Sequence, residues 1–467
     1  MSAKPASVHP FGMKDKLGYM FGDFGNDFTF ILSSMFMMKF YTDVMGISGG
    51  LVGLLMMSAR LVDAVTDVTM GQIVDRSKPT KDGKFRPWIK RMCGLVAIAS
   101  FLIYQSAFAN LSYGIKVFWM FFTYILWGSI FYTAINIPYG SMASAISADP
   151  KDRAELSTWR TIGASLASLV IGVGTPMIAY ENVNGATILS GSKTTIIAGI
   201  FSILAIICYL LCFYLVRERV EVLQNTQKLN ISNMLKGIFT NRALLGIIAA
   251  AIMLLLGQLG MTGMQPYIFP VYYGSASAQS MASLTGTIAM LVICAPFAVK
   301  LSDKFGKKEL SIASCLFGAA AWLVCWIIKP QNAMIFVAFY TLSMIGLGFF
   351  NTIIWAMITD VIDDAEVRNG IREDGTIYSV YSFARKLGQA LSSGMIGAVL
   401  TAIGYTGKVA GNPAAYPNVL DGIFRWSCLI PAIGLAAVAL ALLFFYPLNK
   451  KQVESNVAEL ARRRNQM

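Results

Sequence analysis

The sequence predicts an all-α membrane protein in which twelve transmembrane helices form two similar six-helix halves. Three observations carry that expectation. The chain of 467 residues is 56% hydrophobic and only 13% charged, whereas a soluble domain carries roughly a quarter charged residues. Apolar runs of about 20 residues, long enough to cross a bilayer, recur from one end to the other. Basic residues gather in short loops on alternate sides of those runs.

Taken in order, the spans read as 17–41, 49–74, 88–109, 116–147, 158–180 and 194–216. The first and second are separated by YTDVMGISGG, which has no Lys or Arg, and the second and third by a loop holding Arg76, Lys78, Lys81, Lys84 and Arg86. The polar stretch Val216–Arg242 then breaks the apolar pattern. Six more spans follow at 243–272, 278–300, 309–328, 333–360, 375–404 and 421–447. The expected organisation is an N-terminal bundle over 1–216, a middle loop over 217–242, a C-terminal bundle over 243–448 and a tail over 449–467.

Loop charge sets the orientation. Lys304, Lys307 and Lys308 follow the eighth span, Arg217, Arg219, Lys228 and Lys236 lie in the middle loop, and Lys450, Lys451 and Arg462–Arg464 lie in the tail. The opposite loops are nearly bare, YYGSASAQS among them. Both termini are therefore expected in the cytoplasm. The N-terminus lacks the short apolar region and small-residue cleavage site of a signal peptide, so the first apolar run is expected to remain as a helix. GQIVDRSKPTKDGKFRP after the second span and AVKLSDKFGKKEL after the eighth share Asp, then a basic residue, then Gly with further basic residues. Similar loops at matched positions suggest parallel repeats, the organisation of a major-facilitator fold.

Several function classes are excluded or disfavoured. The net charge of +13 lies in membrane-flanking loops, which argues against nucleic acid as a partner. Cys93, Cys208, Cys212, Cys294, Cys315, Cys325 and Cys428 lie in or at the ends of apolar runs without CxxC spacing and read as small core residues. The single histidine, His9, is in the polar N-terminal tail, so a histidine proton relay and a His-ligated metal are ruled out. No cofactor is expected, and no catalytic site.

The informative residues are charges inside the spans, where each costs roughly 2.5–3.5 kcal/mol on insertion scales. They are Asp27, Arg60, Asp63, Asp67, Arg160, Arg385 and Lys386. Glu155, Asp360, Asp363 and Asp364 lie nearer the span ends, where water could solvate them. Asp63 and Asp67 are four apart and share a helix face. Two close carboxylates in low dielectric need a shared proton, a cation or a basic partner. Arg60 could serve Asp63 as a structural ion pair; it is seven residues from Asp67. With hydroxyls such as Thr66 or Thr133, the acids could instead offer oxygen ligands to Na⁺, or hold a coupled proton. Asp27 sits in GDFGNDFTF, where Gly22 and Gly25 thin the helix and aromatics flank the acid, a setting suited to a sugar hydroxyl. Arg160 offers a planar donor fork, and Lys386 could pair with an acid of the first half.

These segments carry a resemblance. KLGYMFGDFGNDF, KFYTDVMGIS, ARLVDAVTD, GKFRPW, YILWGSIFYTAINIPYGSM, WRTIGASLAS, DGTIYSVYSFARKLGQA and FFYPLNKKQVESNVAEL together resemble the glycoside–pentoside–hexuronide:cation symporters, in order along nearly the whole chain. The resemblance implies a major-facilitator fold of two six-helix bundles around a sugar site. It implies that Asp63, Asp67, Thr66 and Thr133 occupy cation-site positions, Asp63 and Asp67 being the metal ligands if the ion is Na⁺. It also implies that Asp27, Asn26, Asn136, Tyr139, Arg160 and Lys386 occupy sugar-site positions.

The motif NIPYG places Asn136 and Gly140 where the melibiose branch of that family has an acid and a Trp. It resembles the glucuronide and pentoside branches instead. One carboxylate fewer beside Arg160 and Lys386 makes the site more positive, so a hexuronide or a xylose-containing glycoside is expected rather than an α-galactoside. The expected activity is cation-coupled (Na⁺ or H⁺) sugar uptake by a monomer in a bacterial cytoplasmic membrane, with membrane lipid around it. A lysolipid or other amphiphile carrier of the same fold is an alternative, disfavoured by the polar set Asn26, Asn136, Arg160 and Lys386. A transporter-like sensor is another, disfavoured by the short tail from Asn449.

Overall fold

A computed structural model describes residues 10–220, 241–370 and 374–465 of the chain. His9 and most of the middle loop, including Lys228 and Lys236, lie outside the described residues. The described chain is helical apart from one small hairpin. Its helices are α1 (Met13–Leu32), α2 (Met38–Asp43), α3 (Gly49–Arg76), α4 (Arg86–Ile103), α5 (Tyr113–Tyr124), α6 (Thr133–Ile146), α7 (Pro150–Ala179) and α8 (Gly191–Leu215). After the middle loop come α9 (Arg242–Tyr267), α10 (Ala276–Ala289), α11 (Ala295–Phe305), α12 (Lys307–Ile328), α13 (Ala333–Asn369) and α14 (Asp374–Ala402). The short α15 (Gly407–Gly411), α16 (Pro417–Phe444) and the tail helix α17 (Lys450–Asn465) complete the chain.

Four π-helical segments, Ser33–Met37, Ile125–Tyr132, Ile268–Tyr272 and Met290–Cys294, run on from α1, α5, α9 and α10. The first, second and fourth lead straight into α2, α6 and α11, so each such trio forms one continuous rod. Counted this way the described residues contain twelve long rods, as the sequence predicts. Nine pass a length-and-hydropathy criterion for crossing a membrane. The three that fall short, Met13–Asp43, α3 and α14, hold Asp27, the Asp63–Asp67 pair and Lys386. The polar residues that weaken their apolar signal are the ones the sequence nominates for function.

The helix ends follow local chemistry. The Asp149 side chain accepts from Lys151 N at 2.8 Å and Pro150 is at the start of α7, so this helix begins eight residues before its apolar run. Asn241 and Asn332 cap α9 and α13 in the same way, at 3.1 and 2.8 Å. α13 runs nine residues past the expected 360 and ends at Gly370, whose φ of +71° suits glycine. A feature not expected from the sequence is the antiparallel hairpin β1 (Tyr180–Val183) and β2 (Ala186–Leu189), turned by Asn184 and Gly185 at φ of 52° and 83°. Asn-Gly is the usual pair for such a turn.

The chain divides into two compact units, Met1–Gln227 with Thr406–Gly411, and Lys228–Tyr405 with Asn412–Met467. Within the first, rod 1 packs on rods 5 and 6, rod 3 on rod 6 and rod 2 on rod 4. Within the second, rod 7 packs on rods 11 and 12, rod 9 on rod 12 and rod 8 on rod 10. The pairings repeat after a shift of six, the signature of duplicated halves. All seven cysteines are buried and unbridged. Outward faces carry large apolar side chains; on α3 these include Leu61, Val62, Val65 and Val68.

Candidate functional site

The same α3 that turns its valines outward turns Asp63 inward, with 6% of the residue exposed. Asp67 follows one turn later and is half-buried. The facing rod presents Ser129 from its π segment and Thr133 from the first turn of α6, again four residues apart. Ser129 Oγ donates to Asp63 Oδ1 at 2.6 Å, and Thr133 Oγ1 donates to Asp67 Oδ1 at 3.0 Å. The two rods run in parallel with one offset, giving two carboxylate–hydroxyl rungs. Arg60 Nη1 stands 3.4 Å from Asp63 Oδ2, with its guanidinium 5.0 Å from the centre of the Phe30 ring. The Arg60–Asp63 ion pair, weighed from the sequence as the structural alternative to a cation site, is thus present. Thr66 uses its hydroxyl differently, donating to the Asp63 backbone carbonyl at 3.2 Å.

A second polar cluster joins rods 1, 4, 5 and 6. Asn26 is 1% exposed. Its Oδ1 accepts from Tyr209 OH at 2.9 Å, and its Nδ2 donates to Asn136 Oδ1 at 3.4 Å. Tyr139 stacks on Tyr19, with ring centres 4.6 Å apart, and its hydroxyl donates to the Tyr19 carbonyl at 2.7 Å. The Arg160 guanidinium lies 5.5 Å from the centre of the Tyr139 ring, and its Nε donates to Asp23 Oδ1 at 2.9 Å. Asp27 is half-buried one turn after Asp23, within electrostatic reach of Asp23 and Arg160. The glycines of α1 make these approaches possible. A Cβ on Gly25 would meet the Tyr209 ring at 3.1 Å, and one on Gly22 would overlap Tyr139. α7 comes just as close through Gly163, where a Cβ would lie 2.6 Å from the Met20 carbonyl oxygen.

Asp23 corrects the charge argument drawn from Asn136. The sequence count left Arg160 with one acid fewer than in the melibiose branch; Asp23 supplies a carboxylate directly on Arg160. Lys386 lies in the second unit, half-buried on α14. Its neighbour Arg385 faces Tyr381 OH at 3.4 Å and the Trp355 ring at 5.6 Å. Asp360 and Asp364 do not sit in solvent as their position near a span end suggested. They are 7% and 1% exposed. Asp360 pairs with Lys307 at 2.6 Å. Asp364 accepts from Asn456 of the tail helix at 3.0 Å and pairs with Arg368 at 2.9 Å. The docked tail helix covers this acid, which hydropathy alone could not indicate. Among the described residues no group of three or more His, Cys, Asp or Glu is placed to hold a metal ion.

Sequence reasoning missed Asp23, Ser129 and Tyr209. Two of them had a signal. Asp23 and Asp27 repeat the four-residue spacing of Asp63 and Asp67, and Ser129 and Thr133 repeat it on the partner rod. Nothing local marks Tyr209, which reaches Asn26 from 183 positions away.

The chain matches the family described as MFS/sugar transport protein over residues 18–450. It is 30% identical over 454 residues to an uncharacterized symporter, YjmB, of Bacillus subtilis (strain 168), covering 96% of this chain and 95% of that one. It is 29% identical over 450 residues to a glucuronide carrier protein homolog of Escherichia coli (strain K12), covering 96% and 95%. Among solved structures, that of a D-xylose-proton symporter superposes with a TM-score of 0.61 at 13% identity, over 93% of this chain and 97% of that one. At that identity the likeness speaks for the fold.

Proposed function

The chain belongs to the MFS/sugar transport protein family, and from that premise we propose that it couples entry of a cation to uptake of a sugar or glycoside. It is a multi-pass transporter of small polar solutes in a bacterial inner membrane. The finer reading, a glycoside–pentoside–hexuronide:cation symporter working as a monomer with both termini in the cytoplasm, rests on the motifs and the loop charges. One observation supports it above the rest: Asp63 and Asp67 meet Ser129 and Thr133 as paired oxygens inside the bilayer-spanning part of one unit. Carboxylate and hydroxyl oxygens suit Na⁺, and the carboxylates can equally take a proton.

In this reading the cation neutralises the Asp63–Asp67 pair, with Thr133 and Thr66 close by. The solute's hydroxyls engage Asn26, Asn136, Asp27, Tyr139 and Arg160 in the first unit; Lys386 belongs to the proposed solute set by the family resemblance. Asn26 and Asn136 present amide donors and acceptors, which match a hydroxyl-rich ligand better than an acyl chain. Alternating access then carries both to the other side. By linkage, cation and solute raise each other's affinity by the same factor.

The proposed substrate is a hexuronide or a xylose-containing glycoside. The glucuronide carrier homolog among the relatives supports the first. The Asp23 carboxylate on Arg160, which offsets its charge, supports the second. Purified protein in liposomes decides both questions. Uptake should respond to an imposed Na⁺ or pH gradient, and a glucuronide or a xyloside should compete. Uptake indifferent to both gradients, cation stimulation that survives Asp67→Asn, or competition by melibiose alone would refute the reading.

A further inference from the structure

We propose that Ser129 is a positioning residue of the cation site, fixing Asp63 so that the acid pair can receive the coupling ion. The inference rests on the symport reading above and extends it to a residue the family resemblance did not bring in. Ser129 is 2% exposed and bonds Asp63 Oδ1 at 2.6 Å, the shorter of the two rungs. Arg60 stands on the other oxygen, Oδ2, at 3.4 Å. With Ser129 on one oxygen and Arg60 on the other, the plane of the Asp63 carboxyl is set from both sides. Asp67 is met by Thr133 in the same register, so Ser129 and Thr133 together align both acids along one line.

Thr66 makes a useful contrast. Its hydroxyl proton goes to the Asp63 main-chain carbonyl, a local bond open to threonines in any helix. The Ser129 proton goes instead to a carboxylate on another rod. A hydroxyl that donates its single proton keeps its lone pairs, so the Ser129 oxygen remains able to face a hard cation beside Asp63.

The backbone around Ser129 adds an independent sign. Ser129 lies inside the π segment Ile125–Tyr132, a geometry that is rare and frequent at functional sites. Tyr124, just before the segment, and Trp127, within it, are fully buried, and the Tyr124 hydroxyl and Trp127 Nε1 have no hydrogen-bond partner among the described residues. Tyr124 is within electrostatic reach of both Arg60 and Asp63.

The test compares the parent chain with Ser129→Ala, Ser129→Thr and Thr66→Val. Solute binding to purified protein is titrated against Na⁺ and against pH, with the melting midpoint followed in parallel. Ser129→Ala should raise the half-saturating cation concentration about tenfold, the size of a hydrogen bond to a charged group. Solute affinity at saturating cation should stay with the parent. Ser129→Thr, which keeps the hydroxyl, should return most of the loss, and Thr66→Val should shift cation dependence less than Ser129→Ala. An unchanged cation dependence in Ser129→Ala, or a larger shift in Thr66→Val, would overturn the role of Ser129 alone. A parent chain whose solute binding ignores both Na⁺ and pH would overturn the symport reading and this inference with it.

Discussion

Replacing Arg60 tests how the charge of Asp63 is balanced before any cation arrives. The two side chains are 11% and 8% exposed and 3.4 Å apart. At an effective dielectric near 20, two unit charges at that distance attract by roughly 5 kcal/mol before desolvation is counted. Exposed pairs net about 0–1 kcal/mol, while removing one partner of a buried pair costs about 3–5 kcal/mol. This pair is nearly buried, but Ser129 also holds Asp63 and Phe30 also faces Arg60, so a coupling of about 2–3 kcal/mol is expected. The assay is a double-mutant cycle of the parent, Arg60→Met, Asp63→Asn and the double variant, read by thermal and denaturant unfolding. Each single variant should be less stable than the parent, and the double variant should recover much of the loss. Solute binding by the double variant should depend far less on the cation, because one of the two ligand carboxylates is gone. Single effects that add to within about 0.5 kcal/mol would show that Arg60 and Asp63 are not coupled, and the ion-pair reasoning would fail.

Three further outcomes follow from the geometry. Asp23→Asn should release Arg160, and since that arginine side chain is 44% exposed the effect should be modest, about 1 kcal/mol or a fivefold gain of anionic over neutral glycosides in uptake competition; an unchanged ratio would separate Arg160 from the solute. Gly163→Ala sets a Cβ 2.6 Å from the Met20 carbonyl oxygen and should cost about 1–3 kcal/mol of stability by forcing α1 and α7 apart, seen as a lower melting midpoint. Glu218 accepts from the backbone N–H groups of Lys84, Phe85 and Arg86 at 2.7, 2.9 and 2.8 Å, capping α4 with a charge, so Glu218→Ala should cost about 2 kcal/mol and Glu218→Gln less; equal melting midpoints for both variants and the parent would deny the cap.

Much of the acid-pair site was legible because its signals are local. Asp63 and Asp67 declare a shared face by spacing alone, and Arg60 declares itself a partner by lying one turn before Asp63. The errors arose where partners come from other rods. Asp360 and Asp364 read as solvated because they lie near a span end, yet Lys307 and the tail-helix residue Asn456 bury them. Asn136 read as a net loss of negative charge because Asp23, 137 positions from Arg160, could not be paired with it from the sequence.

The sequence by itself determined that this chain lives in a membrane, how many times the backbone crosses it, and that the second half repeats the first. Those properties follow from apolar run length, loop charge and the cost of carrying an ionised side chain into lipid, all of which act within a few tens of residues. The helix spacing of Asp63 and Asp67, or of Ser129 and Thr133, is of the same kind. Only the tertiary structure decided that these two pairs face each other, that Tyr209 closes on Asn26, and that Asp23 answers Arg160. Those matches depend on which rods pack together and how deeply glycines such as Gly25 and Gly163 let them approach, and a one-dimensional pattern carries no record of distance between rods.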